Sequence, residues 1–283
     1  MVLIDGKKVS AEVRACLAKE AKELKEKTGR VPGLATVLVG DDPASAVYVR
    51  NKNKICRELG FKSFEQKLSL DTSEAKLLQL IKELNSNNDI HGILVQLPLP
   101  NQIDSEKILQ AIDPNKDVDG FHPINVGKLV VGNALLTPCT PSGIIKLLDH
   151  YEIDISGKHA VILGRSNIVG KPVSMLLLQR NATITICHSR TKNLEEITRS
   201  ADILVAAIGR ANFVTENMVS EGTIVIDVGI NRVDGKLTGD INFEPVSKKA
   251  SYITPVPGGV GPMTIALLME NTLKAFKESI DIN

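Results

Sequence analysis

The chain has no tryptophan, and aromatic residues make up only 3% of its 283 positions. Proteins that grip single-stranded nucleic acid by stacking bases on side chains need more aromatic surface than that. An excess of one charge is also missing, with 34 Lys and Arg against 33 Asp and Glu and a formal net charge of +1. Without cations to displace counterions from a polyanion, nucleic acid is not an expected partner. No apolar run approaches the roughly 18 residues of a membrane span, so a membrane is not expected either. The opening MVLIDGKK reaches Asp5 after four residues and has the form of neither a secretory signal nor an Arg-rich transit peptide; the expectation is a cytoplasmic protein. The four cysteines, Cys16, Cys56, Cys139 and Cys187, form no CxxC pair. That removes a local zinc site or redox dithiol and leaves reduced, mostly buried thiols, with no metal expected.

What is present suits a globular chain of about two domains. Apolar spacing predicts a helix over 10–27, capped by Ser10 and stopped by Gly29, then a strand over 34–39. A second helix opens at Asp42 and Pro43 and ends at Gly60. A strand over 61–68, a helix over 71–84 and a strand over 92–97 follow. Strand and helix in alternation imply a parallel sheet. From 113 to 140 the chain carries Pro114, Gly120, Pro123, Gly127, Gly132 and Pro138, with Pro141 just beyond, and reads as irregular or as a boundary. A helix then starts at Thr140-Pro141 and runs to His150. Strands over 159–163, 183–187, 203–207 and 224–228 make a nucleotide-binding type of domain. The final helix, 262–279, sets Ile265, Leu268, Met269, Thr272, Leu273 and Phe276 at helical spacing and must bury a face.

The loop GRSNIVGKP, Gly164 to Pro172, sits between a strand and a helix, where backbone N–H groups and the helix dipole favour an anion. It narrowly misses two phosphate motifs. Five residues separate Gly164 from Gly170 where a P-loop has four, and Pro172 stands where a P-loop has Ser or Thr. The GxGxxG fingerprint fails at Ser166-Asn167. A tight strand-to-helix turn explains the loop equally well. About 20 residues on, an NAD site usually offers a carboxylate to the ribose, whereas this chain has His188-Ser189-Arg190-Thr191. Arg165, Ser189 and Arg190 can donate to a ribose 2′-phosphate that a carboxylate would repel, so NADP fits better than NAD. For His188 alone, a surface position at a strand end is the simpler reading.

Tyr48 and Lys52 stand at i and i+4 on the second helix, so their side chains share a face. An amphipathic helix whose lysine reaches out beside a half-buried tyrosine accounts for that pattern too. Short-chain dehydrogenases use YxxxK, but after their glycine loop; here the pair comes over a hundred residues before it. At an ordinary lysine pKa only about one Lys52 in 2,500 is neutral at pH 7, and making it a good base means lowering that pKa by about three, roughly 4 kcal/mol. Arg50 and Lys54 lie two residues away and do not face it. Desolvation has to do most of the work, in a closed apolar pocket with one polar partner. Gln96, in the strand GILVQLP, is a candidate, and a Gln bonded to backbone at a strand end is the alternative.

The segments ASAVYVRNKNK, GILVQLPLP, PNKDVDGFHPINVGKL, PCTPSGI, GRSNIVGKP, HSRT, DVGIN and PVPGGVGPMT, in this order and across essentially the whole chain, resemble the bifunctional methylenetetrahydrofolate dehydrogenase/methenyltetrahydrofolate cyclohydrolase family. The resemblance implies two α/β domains with parallel sheets and a cleft between them, the second a Rossmann-like doubly wound NADP domain. It implies a folate domain of residues 1–139 plus 262–283, an NADP domain of 140–261, and a homodimer. It implies oxidation of 5,10-methylenetetrahydrofolate with NADP, then hydrolysis to 10-formyltetrahydrofolate, a step in one-carbon supply to purine and amino-acid biosynthesis.

By motif, Lys52 resembles the family's central acid/base residue, Tyr48 the residue that orders the substrate beside it, and Gln96 the one that tunes the lysine. Asp119 resembles the pterin anchor, where a carboxylate accepts from a paired donor edge, although Asp119-Gly120 also suits a turn. Leu97, Pro98, Pro257, Gly258 and Gly259 are the further substrate positions implied. Gly164, Arg165, Ser166, Ile168, Val169, Gly170, His188, Ser189 and Ile230 are the cofactor positions. Phe61, where the family often has a smaller aliphatic residue, lies outside the site. A dehydrogenase without cyclohydrolase action, or a non-catalytic NADP-binding protein, are the alternatives.

Overall fold

The computed structural model describes residues 1–281. Two compact units form, one from Glu12–Cys139 and the chain from Leu268 onward, the other from Met1–Ala11 and Thr140–Leu267. The divisions fall inside the helices Gly6–Thr28 and Val260–Ser279.

The first unit, called the lysine unit below, is built on a three-stranded parallel sheet. Gly33–Val39 is central, with Lys62–Leu68 and Gly92–Val95 on either side. The central strand is buried along its whole length, as a near-continuous apolar run is when both sheet faces are covered. Helix Pro43–Glu58 begins where the sequence predicts. The Asp42 carboxylate accepts the Ser45 N–H at 2.7 Å, Pro43 needs no donor at the first helical position, and Gly60 takes φ 78° past the end. Helix Glu74–Ser86 starts three residues later than predicted because Ser73, whose hydroxyl accepts from Lys76 N, is its cap.

The first long helix starts a turn earlier than predicted, at Gly6. Asp5 Oδ1 accepts from Lys8 N at 3.0 Å, and Ser10, expected as the cap, is buried inside the helix. The 113–140 stretch is not irregular throughout, since Pro123–Val131 is a helix. The Pro and Gly that suggest a loop are its end signals: Pro123 at the first position, His122 Nδ1 accepting from Ile124 N, and Gly132 left-handed at φ 83°. A short helix, Ser105–Ala111, capped by Asp104, was not predicted.

The second unit, the glycine-loop unit, holds a six-stranded sheet in the order Val2–Leu3, Tyr252–Ile253, Ile224–Asp227, Ile203–Ala206, His159–Leu163, Thr183–Cys187. Every neighbouring pair is parallel. Successive strands are added first on one side of His159–Leu163 and then on the other, so the order reverses there. A doubly wound sheet opens its ligand crevice at the carboxyl ends of the strands at such a point. Residues 1–11 belong here and not with 12–139 as the expected boundaries have it, because Val2 pairs with Tyr252 and Leu3 with Ile253. Two-residue strands carry too little pattern to be read from sequence. Among the described residues, no helix is long and apolar enough to cross a membrane.

Candidate functional site

Within the lysine unit, the helix Pro43–Glu58 and the end of the strand Gly92–Val95 bring two of the expected residues together. Lys52 Nζ donates to Gln96 Oε1 at 3.0 Å. Gln96 in turn donates from Nε2 to Leu97 O at 2.7 Å, and its backbone N–H continues the ladder to Val37 O. Both ends of the Gln96 amide are thus committed, which fixes the carbonyl oxygen toward the lysine. Lys52 is half-buried, less enclosed than the closed pocket expected of it. Tyr48 lies one turn earlier and is 39% exposed. The Leu97-Pro98 peptide is cis and turns the chain immediately after Gln96.

Asp119 belongs to the same cluster. Burial pushes its carboxyl up to about 6, with the Lys52 ammonium pulling it down and Asp117 pushing it further up. Asp117 is itself buried and occupied, accepting from His122 N at 2.8 Å and Asn125 Nδ2 at 2.9 Å. The turn at Gly120 is also real. It has φ 73°, and a Cβ there would stand 2.6 Å from Thr137 C and Pro138 N. Anchor and turn are therefore compatible, the glycine letting the chain bend so that the carboxylate faces the lysine's charge. Cys139 lies in the same surroundings, where burial, Asp119 and Asp117 push its thiol well up and Sγ donates to Val118 O at 3.2 Å. Its thiol is inert.

In the glycine-loop unit, a cavity of about 370 Å³ opens at the strand ends where the order reverses. Gly164, Arg165, Ser166, His188 and Ser189 are among the residues that line it. The loop closes on itself. Ser166 Oγ accepts from Val169 N and Gly170 N, and a Cβ on Gly170 would meet Gly164 O at 2.3 Å. His188 has more than a surface role, because Nδ1 accepts from Arg190 N while the His188 backbone N–H donates to Thr191 Oγ1, ordering the HSRT turn. Arg190 is exposed and is not among the residues lining the cavity; neither are Ile168, Val169 and Ile230. Pro257, Gly258 and Gly259 form a turn with a cis Val256-Pro257 peptide, docked on the start of the first helix through Lys7 N and Gly258 O.

Sequence reasoning missed Arg210, which lines the cavity with its guanidinium 4.7 Å from the centre of the Phe213 ring. Its only signal is that it follows a predicted strand, where ligand contacts in doubly wound sheets gather. The basic groups Arg165 and Arg210 with the Ser189 hydroxyl suit a phosphorylated dinucleotide.

Comparison with known proteins finds relatives along nearly the whole chain. Residues 4–119 match the family described as tetrahydrofolate dehydrogenase/cyclohydrolase, catalytic domain, and residues 138–280 its NAD(P)-binding domain. A bifunctional protein FolD of Streptococcus mutans is 56% identical over 98% of this chain and 98% of its own. The solved FolD methylenetetrahydrofolate dehydrogenase/cyclohydrolase of Campylobacter jejuni is 53% identical, with a TM-score of 0.96 over 98% of this chain and 99% of that one. The Trypanosoma brucei enzyme, solved with NADP cofactor and inhibitor, is 40% identical, with a TM-score of 0.95 over 99% and 98% of the two chains.

Proposed function

The chain belongs to the tetrahydrofolate dehydrogenase/cyclohydrolase family, and from that premise we propose how its residues divide the family's two activities. The enzyme oxidises 5,10-methylenetetrahydrofolate to the 5,10-methenyl compound with NADP and hydrolyses that product to 10-formyltetrahydrofolate. We assign folate to the lysine unit and NADP to the glycine-loop unit. The carrying observation is the Lys52–Gln96 hydrogen bond beside Asp119.

Asp119 accepts from the pterin's paired donors and orients the ring, Tyr48 packs beside it, and Leu97 and Pro98 continue the substrate surface. Within the glycine-loop unit, Pro257, Gly258 and Gly259 offer backbone to the cofactor. NADP, when bound, supplies the hydride acceptor, and hydride loss leaves a cationic methenyl carbon. Water attacks that carbon, and Lys52 Nζ is the group placed to handle the protons of the step. The attacking water gives up a proton and the ring nitrogen gains one as the carbon–nitrogen bond opens, and Lys52 passes it between them. Gln96 holds Nζ in line throughout.

Following reduced nicotinamide and decay of the methenyl chromophore together tests the assignment. Both signals are expected, and oxidation with the methenyl product trapped would favour a dehydrogenase alone. Arg165→Ala should weaken NADP by about 10- to 100-fold while changing NAD little, as loss of one charge-assisted phosphate contact does; equal loss for both cofactors would show that Arg165 does not read the 2′-phosphate.

A pH effect follows from Asp119. Its folded carboxyl titrates at about 6, above its unfolded value of 3.8. The folded chain therefore holds a proton between those values that the unfolded chain has lost, and this group's contribution to stability falls as pH rises through that window and is flat above it. Substrate binding needs the ionised form, so folate affinity should drop on acidification below about 6, in a dependence that Asp119→Asn abolishes. An unchanged profile in the variant would remove Asp119 from the substrate. We also take the working form to be a cytoplasmic homodimer, in keeping with the family; sedimentation as a single chain would contradict it.

A further inference from the structure

We propose that two buried carboxylates, Asp227 and Asp240, are the positioning residues for NADP, holding in one arrangement the turns that form its site. The inference rests on the reading of the glycine-loop unit as the cofactor unit and deepens it. Asp227 ends the strand Ile224–Asp227 and is 3% exposed, and Asp240 is fully buried. Side by side in the interior, two carboxylates are costly unless their oxygens are filled by donors. Here they are. Asp227 accepts from Gly229 N at 2.9 Å, Asp240 N at 2.9 Å and Ile241 N at 3.0 Å. Asp240 accepts from Ile208 N at 2.7 Å, Gly209 N at 3.0 Å, Arg210 N at 2.8 Å and Asn231 Nδ2 at 3.0 Å.

The donors come from the places the cofactor needs. Ile208 and Arg210 line the cavity, and Gly229 and Asn231 flank Ile230, a cofactor position by family resemblance that is not among the lining residues. Asp227 N also donates to Thr254 Oγ1 at 2.7 Å, tying in the start of the segment that leads to Pro257, Gly258 and Gly259. Three consecutive N–H groups converging on one carboxylate allow a single backbone conformation for 208–210, a selectivity that apolar packing does not provide. That conformation starts the Arg210 side chain toward Phe213 and the cavity. The fit is close on every side. A Cβ on Gly229 would stand 2.3 Å from Asp240 Oδ1, and one on Gly239 would stand 1.8 Å from Asp227 Oδ2.

Asp240→Asn keeps the shape but turns one accepting oxygen into a donor facing donors. In the full-length enzyme we expect the KM for NADP to rise about tenfold, with most of kcat recovered at saturating cofactor. The cyclohydrolase rate, read from methenyltetrahydrofolate with no NADP present, reports whether the chain is folded. If that rate also collapses, Asn231→Ala, which removes one donor from the same carboxylate, decides: a KM raised about threefold supports the proposal, and an unchanged KM overturns it. An unchanged KM in a folded Asp240→Asn overturns it as well. Failure of the wild type to reduce NADP at all would instead sink the assignment of function on which it rests.

Discussion

Lys52→Met should lose the formyl product, with the cyclohydrolase rate falling by about 10²- to 10⁴-fold, the range a positioned acid/base group supplies. Methionine approximates the apolar stem, with sulfur in place of Cδ, and lacks the terminal nitrogen, so Gln96 Oε1 loses the donor at 3.0 Å that faces it. A second consequence follows from Asp119. Its carboxyl is already raised to about 6, and Lys52 is the neighbour that pulls it down. Without that charge it titrates higher still, and folate binding weakens near neutrality. The variant should therefore accumulate methenyl compound when given methylene substrate and NADP, and should need more of it. Decay of the methenyl absorbance measures the first effect and substrate KM the second. A cyclohydrolase rate equal to the wild type's would falsify the role given to Lys52.

Gly164→Ala should silence the other activity. Gly164 takes φ 116°, and a Cβ there would lie 2.2 Å from Ala207 O, a backbone atom that cannot swing aside. Ala207 is also pinned, its N–H bonded to Leu163 O at 2.8 Å. Backbone in such a region costs about 1–3 kcal/mol for a residue with a side chain, and the clash adds to that by pushing Ala207 and the Ile208–Arg210 turn out of the cavity. We expect NADP-dependent oxidation to fall about 100-fold or more, since small misplacements of a positioned cofactor carry losses of that size, while the cyclohydrolase rate is kept. Gly209→Ala is the matched control. It also has positive φ, at 66°, but open space around the added atom, so it should cost only about 1 kcal/mol of stability. Equal behaviour of the two variants, by thermal unfolding and NADP turnover, would show that the approach to Ala207 does not matter.

Much of this fold could be read from local signals. The Asp42-Pro43 start, the Gly60 stop and the strand over 159–163 depend on neighbours in sequence, and they stand where predicted. What escaped was decided at a distance. Val2–Leu3 is a strand only because Tyr252–Ile253 offers it an edge. Ser10 looks like a cap by type, but Asp5 does that work one turn earlier. Pro123 and Gly132 read as breakers by type, and in the fold they bracket the helix Pro123–Val131.

The candidate site divides in the same way. Lys52 and Gln96 come together as their motifs implied, because a helix and a strand of the same small sheet carry them. Arg210, Asp227 and Asp240 carry no motif, and their importance lies in which backbone N–H groups converge, which no spacing records. Arg190 shows the converse, since a donor by type is exposed and not among the residues lining the cavity in the folded HSRT turn.

Both units are discontinuous in the chain, and this bears on how the protein emerges from the ribosome. The body of the lysine unit is complete at Cys139, yet the segment from Leu268 that buries Leu273 and Phe276, with Asn271 bonded to Val118 O and Thr137 O, is more than a hundred residues further on. At ordinary rates of synthesis that is a wait of roughly 10 s. For that interval Val118 O and Thr137 O lack the Asn271 amide and His91 lacks the Phe276 ring that meets it edge-on, and nascent-chain chaperones have their reason to meet the chain there.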